Sequence, residues 1–236
     1  MKLTEANKYI EETDKFYLTE KLSERAVKKH KEGKAEEAIS LYLELIKINN
    51  NQPAWVYANV ITLFGQTKRL KEGLELGQKA LTTHVQSDEI HRALGLAYEN
   101  GEDNNRCIEY YKKAIELEPN QPEWLYCNLA KKLLENNETE SAIDICTEGI
   151  NLYQNFHYLY YVLGNALAEQ EQWDESIAAY RCAQEFDPDW KEIEEKLNQT
   201  IYKKNLAEKY QKNIYQTQAP FINEQLLNPT DRKSVV

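Results

Sequence analysis

The residue types that most often carry chemistry are scattered in this chain. Its four histidines, His30, His84, His91 and His157, fall in four different segments. The four cysteines, Cys107, Cys127, Cys146 and Cys182, form no C-x-x-C pair and no Cys/His set with zinc spacing. All four lie inside helical patterns, where a thiol is a small apolar packing group, so reduced cysteines are expected. Asp187 and Asp189 flank Pro188 in a helix-ending loop, a setting for turn residues more than for an acid–base pair. The sequence contains no G-x-x-x-x-G-K, no G-x-S-x-G and no H-E-x-x-H. No catalytic residue, metal or cofactor is expected, and the chain reads as a non-enzyme.

Chemistry of another kind recurs. Gln52-Pro53-Ala54-Trp55-Val56-Tyr57-Ala58-Asn59 returns 69 residues later as Gln121-Pro122-Glu123-Trp124-Leu125-Tyr126-Cys127-Asn128. Upstream in the same register, Ile39, Tyr42, Ile46 and Asn51 fall on Ile108, Tyr111, Ile115 and Asn120. An amide side chain both donates and accepts hydrogen bonds, and an aromatic one offers rigid apolar area with a polar tip. Together they suit recognition better than catalysis.

The elements that place these residues are helices. The 236 residues include only 8 Gly and 6 Pro, few for a β-protein with frequent turns. The apolar share of 42% and charged share of 29% fit amphipathic helices with one wet face. A net charge of −10 argues against nucleic acid, which is held by clustered Lys and Arg. The basic runs at Lys28, Lys29, Lys31 and Lys34 and at Lys203 and Lys204 are interrupted or flanked by acidic residues. No apolar stretch approaches the ~20 residues needed to span a bilayer, and the first residues lack a secretory apolar core. A cytoplasmic protein without membrane insertion is expected.

The 69-residue shift divides into two units of 34 plus one residue. Five blocks result: 19–52, 54–87, 88–121, 123–156 and 157–190, with Pro53 and Pro122 as single insertions. The third block carries Leu94, Gly95, Tyr98, Tyr111, Ala114 and Pro119. The fifth carries Leu163, Gly164, Trp173, Tyr180, Ala183 and Pro188, and the fourth Leu129, Ala130, Leu133, Ala142 and Gly149. A 34-residue unit with these residues resembles the tetratricopeptide repeat. The first two blocks depart from it. Arg25 and Lys29 occupy apolar positions of block one, and Gly73 and Gly77 stand for larger residues in block two, implying close helix approach or a softer joint.

Within a unit, two apolar stripes of helical period flank a turn-forming loop such as Asn100-Gly101-Glu102-Asp103-Asn104. Neither helix can bury its stripe alone, so neighbours must stack. With the resemblance, the expected fold class is all-α, a right-handed α-solenoid of five helix-turn-helix repeats with flanking N- and C-terminal helices. Residues 1–18 read as the extra N-terminal helix and 191–212 as a capping helix; 213–236, with Pro220 and Pro229, reads as a mobile tail. The last six residues, Asp231 to Val236, resemble the translated read-through of a sequencing adapter, so the natural chain is expected to continue past residue 230.

The resemblance also implies a site. In tetratricopeptide arrays the first helix of each unit lines a concave groove that takes a peptide or a partner helix. Carried onto this chain, the groove positions are Trp55, Asn59 and Thr62; Glu89 and Arg92; Trp124, Asn128 and Lys131; and Tyr158, Tyr161 and Asn165. Trp55 and Trp124 follow Pro at helix starts, where packing on the preceding unit is the competing reading. Asn59 and Asn128 resemble part of the asparagine ladder of O-linked N-acetylglucosamine transferases, interrupted here by Ala93 and Val162. The clamp that holds chaperone C-termini in some relatives is matched at only one of five positions, so chaperone-tail binding is not expected. The expected function is a protein-interaction scaffold binding protein or peptide. The alternative is the targeting arm of a larger glycosyltransferase or methyltransferase, by family analogy. Self-association through the tail or capping helix is a third option.

Overall fold

The computed structural model describes the backbone of residues 3–227 and the side chains of residues 15–214. Eleven α-helices and no strand occur among them. The chain divides into two compact units, Met1–Asn137 and Glu138–Val236. The first holds α1 (Leu3–Lys31), α2 (Ala35–Ile48), α3 (Ala54–Gln66), α4 (Leu70–Leu81), α5 (Asp88–Asn100), α6 (Asn104–Leu117) and α7 (Glu123–Glu135). The second holds α8 (Thr139–Leu152), α9 (His157–Glu169), α10 (Trp173–Phe186) and α11 (Lys191–Leu227). The two helices of the fourth block therefore fall one in each unit.

Local sequence sets the helix ends. Ser87 and Asp103 accept hydrogen bonds from the backbone N–H groups of Ile90 and Arg106, capping α5 and α6. Pro53 and Pro122 precede α3 and α7 with the same backbone geometry, φ −54° and −57°, ψ 148° and 146°. Proline cannot donate to a preceding helix, so its place just outside one is inexpensive. Pro119 and Pro188 follow α6 and α10 by two residues, as expected of helix stops.

Every turn inside a repeat carries one left-handed residue: Gly33, Lys68, Glu102, Asn137 and Glu171, with φ between 58° and 72°. All five are the fifteenth residue of their blocks, yet only the first is glycine. The conformation is thus imposed by the helix pair on either side.

In the first unit α1 packs on α2, α2 on α3, and α3 on both α4 and α5; α5 packs on α6, and α6 on α7. Tyr42, Leu45, Val60 and Phe64 are buried in one apolar cluster, and Ile61, Ala80, Ile90 and Leu94 in the next. Gly73 and Gly77 are sites of close approach: a Cβ on Gly77 would lie 2.4 Å from Leu94 Cδ2. In the second unit α8 packs on α9, α9 on α10, and α10 on α11.

The two ends differ from the predicted boundaries. α1 is one helix through residue 18, because no Gly or Pro interrupts residues 3–31. Among its described side chains Leu22 and Ala26 are buried, which is how block one forms a first helix despite Arg25 and Lys29. α11 continues past 212 to Leu227. Its apolar spacing does not stop at 212 either: Tyr202, Leu206, Tyr210 and Ile214 recur every fourth residue and are exposed. Residues 228–236, including the last six, lie outside the described residues.

Candidate functional site

Two tyrosines 69 residues apart anchor the matched stretches. Tyr42 and Tyr111 are both fully buried, and Trp55 and Trp124 stand edge-on to them with ring centroids 6.2 Å apart in each case. Asn59 Nδ2 lies 3.3 Å from the Tyr42 hydroxyl, and the Asn128 amide likewise reaches Tyr111. Each tryptophan thus packs on the preceding block and remains half-buried.

The two copies differ in one partner. Glu99 accepts from the Tyr111 hydroxyl at 2.7 Å and from Asn128 Nδ2 at 3.2 Å. The equivalent place near Tyr42 holds His30, edge-on at 6.3 Å. Burial pushes the Tyr111 phenol far above its ordinary range, and the neighbouring Glu99 carboxyl adds to the shift. Burial likewise pushes the Cys107 and Cys127 thiols up to about 12, which leaves them protonated and unreactive at neutral pH.

The repeated Gln-Pro junction has a structural cause. Gln52 and Gln121 are buried, and each donates to a carbonyl of the helix before it, Leu45 at 3.1 Å and Ala114 at 3.2 Å. Tyr57 and Tyr126 donate to the carbonyls of Asn50 and Pro119 in the same two loops. The signal was the period itself. A 69-residue match, rather than a 34-residue one, points to bonds that join adjacent blocks.

Five of the predicted groove positions converge in the first unit. Asn59 and Thr62 from α3, Glu89 and Arg92 from α5, and Trp124 from α7 line a cavity of about 130 Å³. Arg92 is already oriented, donating to Gln121 Oε1 at 2.5 Å with Asp88 3.8 Å away. Gln121 returns a bond to Asp88 at 2.9 Å. Trp55 lines a separate cavity with Ser23, Val27 and Lys28 of α1, while Asn128 turns toward Glu99 and Lys131 is exposed.

The remaining three positions belong to the second unit. Tyr158 stacks on Trp190 (5.2 Å, 4° between planes), and Tyr161 lies 4.6 Å from the same ring. Tyr161 is buried and donates to Glu192 at 2.6 Å; burial pushes its phenol up to about 12, and Glu192 adds to the shift. Asn165 Oδ1 accepts from the Tyr180 hydroxyl at 2.7 Å. Trp190, absent from the predicted set, organises this face.

The model of the tetratricopeptide repeat matches residues 88–121, the limits of the third block. YrrB, a TPR protein with an unusual peptide-binding site, superimposes with a TM-score of 0.63 at 20% identity, over 70% of this chain and 84% of that one. Residues 88–121 are a tetratricopeptide repeat, and the fold of the chain is that of tetratricopeptide-repeat proteins. Among curated relatives, the small glutamine-rich tetratricopeptide repeat-containing protein 2 of Mycosarcoma maydis is 34% identical over 89 residues, covering 38% of this chain and 25% of the relative. The DnaJ homolog subfamily C member 7 homolog of Dictyostelium discoideum is 22% identical over 193 residues, covering 75% of this chain and 36% of the relative. The chain thus spans between a quarter and about a third of these relatives. Among the described residues of this repeat protein, no helix is long and apolar enough to cross a membrane.

Proposed function

We propose that the chain is a cytoplasmic interaction scaffold that holds a peptide or a partner helix against α3, α5 and α7. The observation that carries this reading is the convergence of Asn59, Thr62, Glu89, Arg92 and Trp124, from three successive first helices, on one cavity. At about 130 Å³ the cavity suits a single side chain of a peptide, whose backbone would run across the asparagines. An amide can pair with an extended backbone whatever its sequence, and Trp124 supplies apolar area. Arg92 is held in place by Asp88 and Gln121 before any ligand arrives, which lowers the ordering cost of binding. The four cysteines form no disulfide with one another, which agrees with a reducing compartment.

The test uses peptides selected from a random display library on the wild-type chain. A triple variant, Asn59→Ala, Arg92→Ala and Asn128→Ala, confirmed as folded by circular dichroism, should bind the selected peptides at least about tenfold more weakly. Undiminished binding of every selected peptide would overturn the assignment.

A further inference from the structure

α11 buries one face and exposes the opposite one. Ile193, Leu197 and Thr200 are buried, and Lys204 continues that side, donating to Asp174 of α10. On the far side Tyr202 is 68% exposed, Leu206 38% and Tyr210 62%. A spacing of four residues sets these three in one row along the helix. The outer face of a surface helix is ordinarily polar, and a contiguous apolar row with a polar border marks an interaction site.

The border of this row is basic. Residues 202–212 hold Lys203, Lys204, Lys209 and Lys212 against Glu208 alone, in a chain whose net charge is −10. Glu208 lies 3.6 Å from Lys204, toward the buried side. Lys203 and Lys209 stand three residues before and after Leu206, one on each flank of the row. Both are exposed, as is Lys212, and Lys203 lies over the Trp173 ring at 5.9 Å.

The occupant follows from charge and size. A second copy laid row against row would set lysines against lysines, which is repulsive. The row also offers only roughly 300 Å² of side chain, well under the ~800 Å² per partner of a stable dimer. An anionic bilayer would face the whole molecule, whose net charge of −10 opposes it. A short helix senses only charges within about 8 Å, the screening distance at physiological salt. From Tyr202 to Tyr210 the row runs about 12 Å, or about two helical turns, which a helix laid along it would cover.

We propose that this face of α11 docks an amphipathic helix of a partner protein, apolar along one side and bordered by Asp and Glu. It uses none of the residues of α3, α5 or α7 and does not rest on the scaffold reading given to them.

The probe is a displayed library of helices with leucines at helical spacing and random polar residues elsewhere. A full-chain variant, Tyr202→Gln, Leu206→Gln and Tyr210→Gln, keeps helix propensity at these exposed positions. Once confirmed as folded by circular dichroism, it is used to remove binders of every other surface before selection on the wild type. The helices then enriched should carry Asp or Glu beside their leucines. Lys203→Glu with Lys209→Glu should bind them at least about tenfold more weakly. The groove variant Asn59→Ala, Arg92→Ala and Asn128→Ala should bind them as the wild type does, which separates this outcome from the fate of the groove assignment. No enrichment, enrichment of neutral or basic helices, undiminished binding by the charge-reversed variant, or loss of binding in the groove variant would each overturn the proposal. So would a wild-type dimer in sedimentation that the glutamine variant dissolves, which gives the face to a second copy. Flotation with phosphatidylserine vesicles that the glutamine variant abolishes would give it to a membrane and overturn the proposal too.

Discussion

Gly95 and Tyr111 touch through the side chain that the glycine lacks: a Cβ built on Gly95 would lie 2.3 Å from Tyr111 Cδ1. Tyr111 is fully buried and bonded to Glu99, so it cannot swing away. Gly95→Ala should therefore destabilise the first unit by about 1–3 kcal/mol, the usual cost of overpacking. Urea denaturation followed by circular dichroism measures it. A neutral effect would mean that α5 and α6 separate more easily than this contact implies.

The paired glutamines should be unequal. Gln121 bonds to Ala114, Glu118, Asp88 and Arg92, while Gln52 bonds to Leu45. Removing a buried amide strands its partners, so Gln121→Ala should cost about 2–3 kcal/mol and Gln52→Ala about 1 kcal/mol. Denaturation of the two single variants decides this, and equal costs would show that the Asp88–Arg92 network contributes nothing.

The left-handed turn residues offer the opposite sign. Lys68, Glu102 and Glu171 hold a conformation that costs a residue with a Cβ about 1–2 kcal/mol, partly offset by the chain entropy that glycine would lose. Glu102→Gly should raise stability by about 0.5 kcal/mol. Gly33→Ala should lower it by about 1 kcal/mol, although nothing lies within 4 Å of the added Cβ. Thermal melting of both variants reads the two signs directly.

Alkali should unfold the protein along a defined slope. Burial, with Glu192 adding to it, holds the Tyr161 phenol at about 12, and burial raises Tyr42, Tyr111 and Tyr180 as well. Unfolded phenols ionise near pH 10, so above that the unfolded chain binds fewer protons than the folded one. The stabilisation is complete below about pH 10 and is lost as pH rises toward 12. Tyr161→Phe should be less stable at neutral pH, having lost the Glu192 bond, yet decline less steeply in alkali. Denaturation midpoints across that range test it; an unchanged slope would place Tyr161 in water.

The helix pairs were legible because each block repeats its apolar spacing, and block three coincides with the matched family segment, 88–121. Gly73 and Gly77 pointed to close approach, and the Leu94 contact supports that half of the alternative. The positions on α3, α5 and α7 came from the tetratricopeptide resemblance, carried over in block register. Other features were hidden for physical reasons. Glu102 and Lys68 have no side-chain signature of a left-handed turn, since the flanking helices impose it. Trp190 falls in helical step with Ile193, Leu197 and Ile201, in the place where two earlier periods carry Gln, so its spacing reads as capping helix and gives no sign of its stacking on Tyr158. The division after Asn137 left no mark in composition.

The junction bonds have a consequence for how the protein is made. Gln52 and Tyr57 each reach back seven residues, and Gln121 and Tyr126 do the same. These four bonds lie within residues 45–57 at the joint between α2 and α3 and within 114–126 at the joint between α6 and α7. Closing so short a loop takes tens of nanoseconds, whereas a ribosome adds roughly 5–20 residues each second. Each joint can set as it leaves the exit tunnel, before the next repeat has been translated.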